Sequence, residues 1–386
     1  VSGGGGGVSG GDRVSGGGGG NTSGGGGLDV VAFAELLAGY CLQVADGEQV
    51  LVRSTTLAAP LLLELQRAVL ARGAWPLLRT ELPGQAERFY LDAGDAQLDG
   101  LPPLALTEVE ATACVLGIQA PENTRALAGI DPERLRRAGL ARKPLQEAVL
   151  RTRWCATLWP TQAGAQQAGM SLADFERFVA AAMFLDRDDP VAAWAELHGL
   201  QQRLIDRLAQ ARELRIEADG TDLRLSVAER TWINSDGRHN MPSGEVFTGP
   251  HEESASGHVR FTLPSSPAGV EVDGVELSFA DGEVVSARAM RGDEYLQRAL
   301  ATDAGARRLG EIGIGTNRGI TRSVGAILFD EKIGGSVHLA LGRSYPETGG
   351  RNDSALHWDL ICDLREGGRL TADGETIQEN GEFVGL

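Results

Sequence analysis

Apolar and polar residues follow two rhythms, one on each side of a change near residue 215. In the first part, residues 29–44 carry apolar positions at helical spacing, and GEQVLVRS, opened by Gly47, reads as a buried strand. TLAAPLLLELQRAVLARGA is an amphipathic helix ending at Gly73, where a left-handed cap costs least, and WPLLRTEL is the next strand. Strand, helix, strand predicts a βαβ unit, hence a parallel pair joined by a right-handed crossover. TACVLGIQA (112–120) adds a further buried strand, with a helical run through DPERLRRAGLARKPLQEAVLRTRW after it. Residues 160–215 read as mostly helical, with Ser171 beside Asp174, and Asp188 before Pro190, as helix starts. No GxGxxG follows a strand, so no dinucleotide site is expected.

From Glu213 the period shortens to two, in LRIEADGTDLRLSVAERTWI, HVRFTLPSS and VEVDGVELSFADGEVVSARAM. Asp-Gly pairs at Asp219-Gly220, Asp273-Gly274 and Asp281-Gly282 mark hairpin turns. DEYLQRALATDAGARRLG reads as a helix ending at Gly310. The expected fold class is an α/β N-terminal domain (28–215) with a small parallel sheet. An α+β C-terminal domain (216–386) with a mainly antiparallel sheet would carry the chemistry. Residues 1–27 are almost entirely Gly and Ser, bury almost nothing, and read as a flexible leader.

The chemistry gathers in SVHLALGRSYPETGGRNDSALHWDL. Alternation in SVHLALG puts Ser336, His338 and Ala340 on one face of a strand. ALHWDLI has the same rhythm, so His357 and Asp359 point together, and the Gly- and Pro-rich stretch between the segments predicts a hairpin. Imidazole and carboxylate on one sheet face suit a divalent metal. Glu245 lies in a segment shaped by Pro242, Gly244, Gly249 and Pro250, and Glu311 follows the expected helix end, where the dipole disfavours a carboxylate. Two Glu, two His, one Asp and Tyr345 exceed what one zinc needs and suit two metals roughly 3.5–4 Å apart. Taken singly, each has a plainer reading: a hydrogen-bonded core histidine, a surface Glu, a packed Tyr, an ion pair fixing a hairpin. His198, His239, His251 and His258 read as structural or solvated, Glu252 and Glu253 as a solvated turn, and Asp330 and Glu331 as a charged turn before the His338 strand.

At 386 residues two domains are the natural prior, and a formal charge of −17 argues against nucleic acid and anionic membrane surfaces. The cysteines Cys41, Cys114, Cys155 and Cys362 form no CxxC pair and sit in apolar segments, so buried thiols in a reducing compartment are expected. With no long apolar run and no signal-peptide layout, a cytoplasmic location is the expectation.

Four segments in order, NMPSGEVFTGP, ARRLGEIGIGTN, ILFDEKIGGSVHLALGRSYP and NDSALHWDLICD, resemble the thermophilic-type metallo-aminopeptidases of family M29, of aminopeptidase T and S type. The resemblance continues upstream through GTDLRL, GAQQAGMS and GEQVLVRSTTLAAPLL, so it spans residues 28–386. It implies a two-domain exopeptidase acting on short peptides with a free N-terminus. It also implies two divalent ions (Zn, Co, Mn or Mg) in the C-terminal domain and a homodimer enclosing the active sites. Motif by motif it places metal ligands at Glu245, Glu311, His338, Tyr345, His357 and Asp359. Glu245 or Glu311 then moves the proton, and Tyr345 either ligates or donates to the oxyanion. Arg318 in GTNRG is a candidate for a substrate carboxylate, its plainer reading being a solvated loop arginine. Two rival readings use the same residues: a mononuclear Fe(II) ring-cleaving dioxygenase on His338, His357 and Asp359, and a non-catalytic binding protein with a structural metal.

Overall fold

A computed structural model describes residues 27–386; the leader expected over residues 1–27 lies, Gly27 apart, outside the described residues. The strand–helix–strand reading of the first part holds. Gln49–Thr55 pairs in parallel with Trp75–Glu81 on one side and Cys114–Gln119 on the other; Arg153–Leu158 follows, then the short strand Asn240–Met241. The crossover helix Ala59–Ala71 buries Leu61, Leu62, Leu65, Ala68 and Val69, the i, i+3, i+4 stripe that its sequence spells out. It stops because Gly73 turns the chain at φ +72°, and a Cβ there would stand 2.0 Å from Asp46 Oδ1. WPLLRTE forms the sheet's edge, so most of its residues are partly or fully exposed.

Three helices follow: Gln162–Gln167, Leu172–Ala182 and Pro190–Leu208. Ser171 Oγ accepts from the Asp174 amide at 3.1 Å, as expected. The last helix starts one residue later than the sequence suggests. Asp189, directly before Pro190, accepts from the Ala192 amide at 3.0 Å and is the cap, not Asp188.

The second part contains two antiparallel sheets that share one core. One has eight strands; the other runs His357–Asp363, Ser336–Gly342, Leu309–Gly315, Glu245–Thr248, Ile233–Ser235. Leu214, Ile216, Leu223 and Leu277 from the first meet Ile312, Ile314, Val337, Leu339 and Leu360 from the second. All seven residues of Leu309–Gly315 and of Ser336–Gly342 are buried, so both faces of this central pair are covered. Ile312, Ile314, Val337 and Leu339 take the sandwich core, which leaves Glu311, Gly313 and His338 for the opposite face.

The helix expected to run to Gly310 ends at Leu300. Asp303 breaks it: its carboxylate accepts from the Ala306 amide, Ser354 Oγ and the Ala355 amide, which favours a tight turn over another helical turn. Glu311 is therefore the third residue of a strand rather than the residue after a helix. Glu245 likewise begins a strand instead of sitting in the loop itself.

Several residues beyond 215 belong to the first core. Ile320, Val324, Phe329 and Ile333 pack there with Phe175, Phe178 and Val179. The segment is pinned by Asp330, which is buried rather than an exposed turn charge. Its carboxylate accepts from the Val324 amide (2.8 Å), the Gly325 amide (2.9 Å) and Ser323 Oγ (2.8 Å). Asp330→Ala leaves these donors with no acceptor and lowers stability by about 3 kcal/mol, read as a lower melting temperature and denaturation midpoint.

Candidate metal centre

The register of the second sheet assembles the cluster. Gly315 pairs with Glu245, Gly313 with His338, Ala340 with both Glu311 and Asp359, and Gly342 with His357. His338, Glu311 and Asp359 therefore project side by side from three adjacent strands. Gly313 makes room for this: a Cβ there would lie 2.0 Å from His338 Cε1 and 2.1 Å from Nε2, so the imidazole occupies the space a side chain would take. Gly244, at φ +116°, brings the chain against Asn317, where a Cβ would stand 2.6 Å from the Asn317 Cβ. Asn317 in turn donates to the Ser243 carbonyl at 2.8 Å, and Gln201 of the Pro190–Leu208 helix donates to the Glu245 carbonyl at 2.9 Å.

Both histidines are oriented by backbone carbonyls. His338 Nδ1 donates to Glu331 O at 2.9 Å and His357 Nδ1 to Arg343 O at 2.8 Å, which turns both Nε2 atoms inward. His338 Nε2 lies 3.3 Å from Glu311 Oε1 and 3.4 Å from Glu245 Oε2. His357 Nε2 lies 3.7 Å from Glu311 Oε2 and 3.6 Å from Asp359 Oδ2. Two triads result, Glu245–Glu311–His338 and Glu311–His357–Asp359, each with ligand atoms within 4.8 Å of one another. The Tyr345 ring stands edge-on to His357 at 5.3 Å between centroids and packs on Phe247 at 5.6 Å.

The electrostatics are those of an over-charged acidic cluster. Burial raises the Glu245 and Glu311 carboxyls above their usual range, and burial followed by Glu331 pushes Asp359 up to about 6. Burial works against a charged His338, yet Glu311 and Glu245 overcome it and push its pKa up to about 10; Asp359 and Glu311 raise His357 in the same way. Burial, then Glu311 and Asp359, holds the Tyr345 phenol far above its ordinary value, so it is an O–H donor. The carboxylates draw protons because they outnumber cations, and divalent ions satisfy the same demand. The fit to metal is specific: Glu245 Oε2 is buried without a hydrogen-bond partner, and the donor set mixes imidazole with carboxylate.

One charged residue at the site, Lys332, escapes a reading of the sequence. Lys332 is wholly buried, its ammonium paired with Glu331 and 3.4 Å from Glu245 Oε1. Burial alone would discharge it, but Glu245 and Glu331 hold its pKa above the usual lysine value. Arg318 is not at the cluster; it pairs with Glu382 and the Gly381 carbonyl. Glu252 is no solvated turn residue, since it holds Arg230 at 3.0 Å and the Arg351 amide at 2.6 Å. His198 pairs with Asp236, His239 stacks on Trp154, His251 donates to the Ala228 carbonyl and His258 is exposed, as expected. The four cysteines are buried free thiols.

Zinc added to chelator-stripped protein near pH 7.5 should displace protons, His338 being one source because it holds its proton up to about pH 10. Apparent affinity should therefore rise with pH up to that value and weaken as pH falls, which calorimetry in two buffers of different ionisation enthalpy reads directly. Gly313→Ala forces the His338 ring away and should weaken metal binding on the order of 10–100-fold in the same titration.

The chain matches the Thermophilic metalloprotease (M29) family over residues 29–383. Aminopeptidase 2 of Geobacillus stearothermophilus is 32% identical, over 91% of this chain and 97% of that protein. Aminopeptidase T of Thermus thermophilus is also 32% identical, over 63% of this chain and 68% of its own length. The solved structure of wild-type AmpT from Thermus thermophilus superposes with a TM-score of 0.82 at 25% identity, covering 92% of this chain and 98% of that one. A 2,5-dihydroxypyridine dioxygenase from Pseudomonas putida KT2440 shares the fold, with a TM-score of 0.55 at 15% identity over 92% of this chain and 97% of that one. With a family match along nearly the whole chain, the same fold as AmpT and a buried histidine–carboxylate cluster, this chain belongs to the M29 thermophilic metalloprotease family, and the relatives it matches are named aminopeptidases.

Proposed function

We propose that this chain is a metal-dependent aminopeptidase that removes N-terminal residues from short peptides. Its two divalent cations (Zn, Co, Mn or Mg) would be held by Glu245, Glu311 and His338, and by Glu311, His357 and Asp359. One observation carries this reading: the two oxygens of Glu311 face different histidines, Oε1 toward His338 and Oε2 toward His357, the arrangement of a bridging carboxylate. Charge balance agrees. Glu245, Glu311, Asp359 and Glu331 carry four negative charges and Lys332 cancels one. One divalent ion would leave the pocket negative, whereas two leave one positive charge, suited to an attacking hydroxide.

Two metals bound there would acidify a water and polarise the scissile carbonyl. The chain's own groups supply the rest. Tyr345, protonated and with its ring against His357, would donate to the oxyanion that develops as the carbonyl is attacked. A cavity of about 680 Å³ opens at His357 and Asp359 and is walled by Leu127, Leu263, Pro264, Trp358 and Ile361, which suits a peptide with apolar side chains. The acidic cluster at one end of it favours a free ammonium there. A single Fe(II) on His338, His357 and Asp359 would leave Glu245 and Glu311 buried and unliganded in a pocket that is still negative, and a closed structural metal does not suit an open cavity. Buried free thiols fit a reducing compartment, and with the homodimer expected from the family they complete the proposal. No described helix is long and apolar enough to cross a membrane.

Stripped protein should be inactive on aminoacyl-p-nitroanilides, regain activity with Zn, Co, Mn or Mg, and hold two ions per chain by elemental analysis. Glu245→Gln should lower activity by at least about 100-fold. One iron per chain with oxygen uptake on a dihydroxylated aromatic, or one zinc with no hydrolysis, would overturn the assignment.

A further inference from the structure

Three of the four acidic side chains gathered at the centre are committed to the triads: Glu245, Glu311 and Asp359 each supply a ligand atom facing an imidazole. Glu331 does not, and its side chain is held in a different way. Its carboxylate is ion-paired to the buried Lys332 ammonium, and its backbone carbonyl accepts from His338 Nδ1 at 2.9 Å. Lys332 reaches Glu245 Oε1 at 3.4 Å with the same ammonium, so one buried cation links a triad carboxylate to the uncommitted one. Exposure separates the two partners. Lys332 is 0% exposed and Glu331 15%, so the lysine is the deeper of the two, and Glu331 is close enough to Asp359 to act on its carboxyl. The neighbouring residues Ala326, Ile327 and Asp330 line the cavity that also borders His357 and Asp359. Asp330 already anchors this segment, and a buried ion pair is weak evidence for stability.

We infer that Glu331 is the proton-transfer carboxylate of the reaction and that Lys332 is its positioning residue; the inference rests on the aminopeptidase reading. Glu331 takes one proton from water as the water oxygen forms a bond to the scissile carbonyl carbon. The carbon–nitrogen bond then breaks, and the same proton passes from Glu331 to the departing amine. The balance is peptide plus water giving an amino acid and a shortened peptide, with Glu331 returned to the carboxylate. Lys332 fixes the carboxylate's direction and links it to Glu245. Glu245 and Glu311 are thereby left as ligands.

The test compares Glu331→Gln, Glu331→Ala and Glu311→Gln as full-length protein. Calorimetric titration with zinc alone should give two equivalents for both Glu331 variants and fewer for Glu311→Gln. Hydrolysis of a leucyl-p-nitroanilide by zinc-loaded Glu331→Gln should fall about 10²–10⁴-fold in kcat with KM little changed. Formate should restore part of kcat to Glu331→Ala, where it fits the space left, and none to Glu331→Gln. Lys332→Arg should keep more kcat than Lys332→Met at equal zinc content. An active wild type with kcat retained in Glu331→Gln, or loss of a zinc equivalent from Glu331→Gln, overturns the assignment of Glu331 alone. An inactive wild type overturns the aminopeptidase reading and this step with it.

Discussion

The structure depends on keeping negative charge inside a sheet. Glu245, Glu311 and Glu331 lie at or near the interior with Asp359, all within reach of His338, His357 and Lys332, where an uncompensated carboxylate is costly. A fully buried lysine, a His338 that holds its proton and a carboxylate oxygen with no hydrogen bond are three expressions of that one constraint. Cations are the direct answer to it, which is why the same residues read as a metal centre by geometry and by electrostatics.

The sheet turns this constraint into a site with fixed dimensions. Cross-strand pairing sets His338 opposite Gly313 and brings Glu311 and Asp359 to either side of Ala340, so the spacing within the cluster is a property of register rather than of loops. The apolar alternate positions of the same strands fill the sandwich core. A slip of one residue would turn Ile312 and Ile314 onto the face of the cluster and Glu311 into the sandwich core, so packing the core and aiming the cluster are one condition. The distant likeness to a dioxygenase is a likeness of fold, and a fold does not fix the chemistry carried on it.

The hairpin was legible in the sequence because period-two alternation states which side chains share a face, and His338, His357 and Asp359 are found together. Glu311 was legible as a candidate but not in its setting: ARRLG is good helix sequence, and only the tertiary grip of Ser354 and Ala355 on Asp303 shows why the helix stops early. Lys332 was invisible and Glu331 legible only as a turn charge, since a run of charges carries no sign of which members are buried. Gly313 could not be seen either, because its role is defined by the residue across the ladder. Asp189 in place of Asp188 is a smaller shift of the same kind, settled by which side chain reaches the Ala192 amide.

The helix Pro190–Leu208 sets Trp194 and Leu197 in the first core and Leu204 and Leu208 in the second, with Gln201 between them on the Glu245 carbonyl. At 1.5 Å per residue it is a strut about 28 Å long. A volume change around Trp194 would therefore act as a lever arm on the Glu245 strand, without touching any group at the centre. Packing in the first core and the position of the Glu245 strand are in that sense one mechanical problem, joined through a single helix.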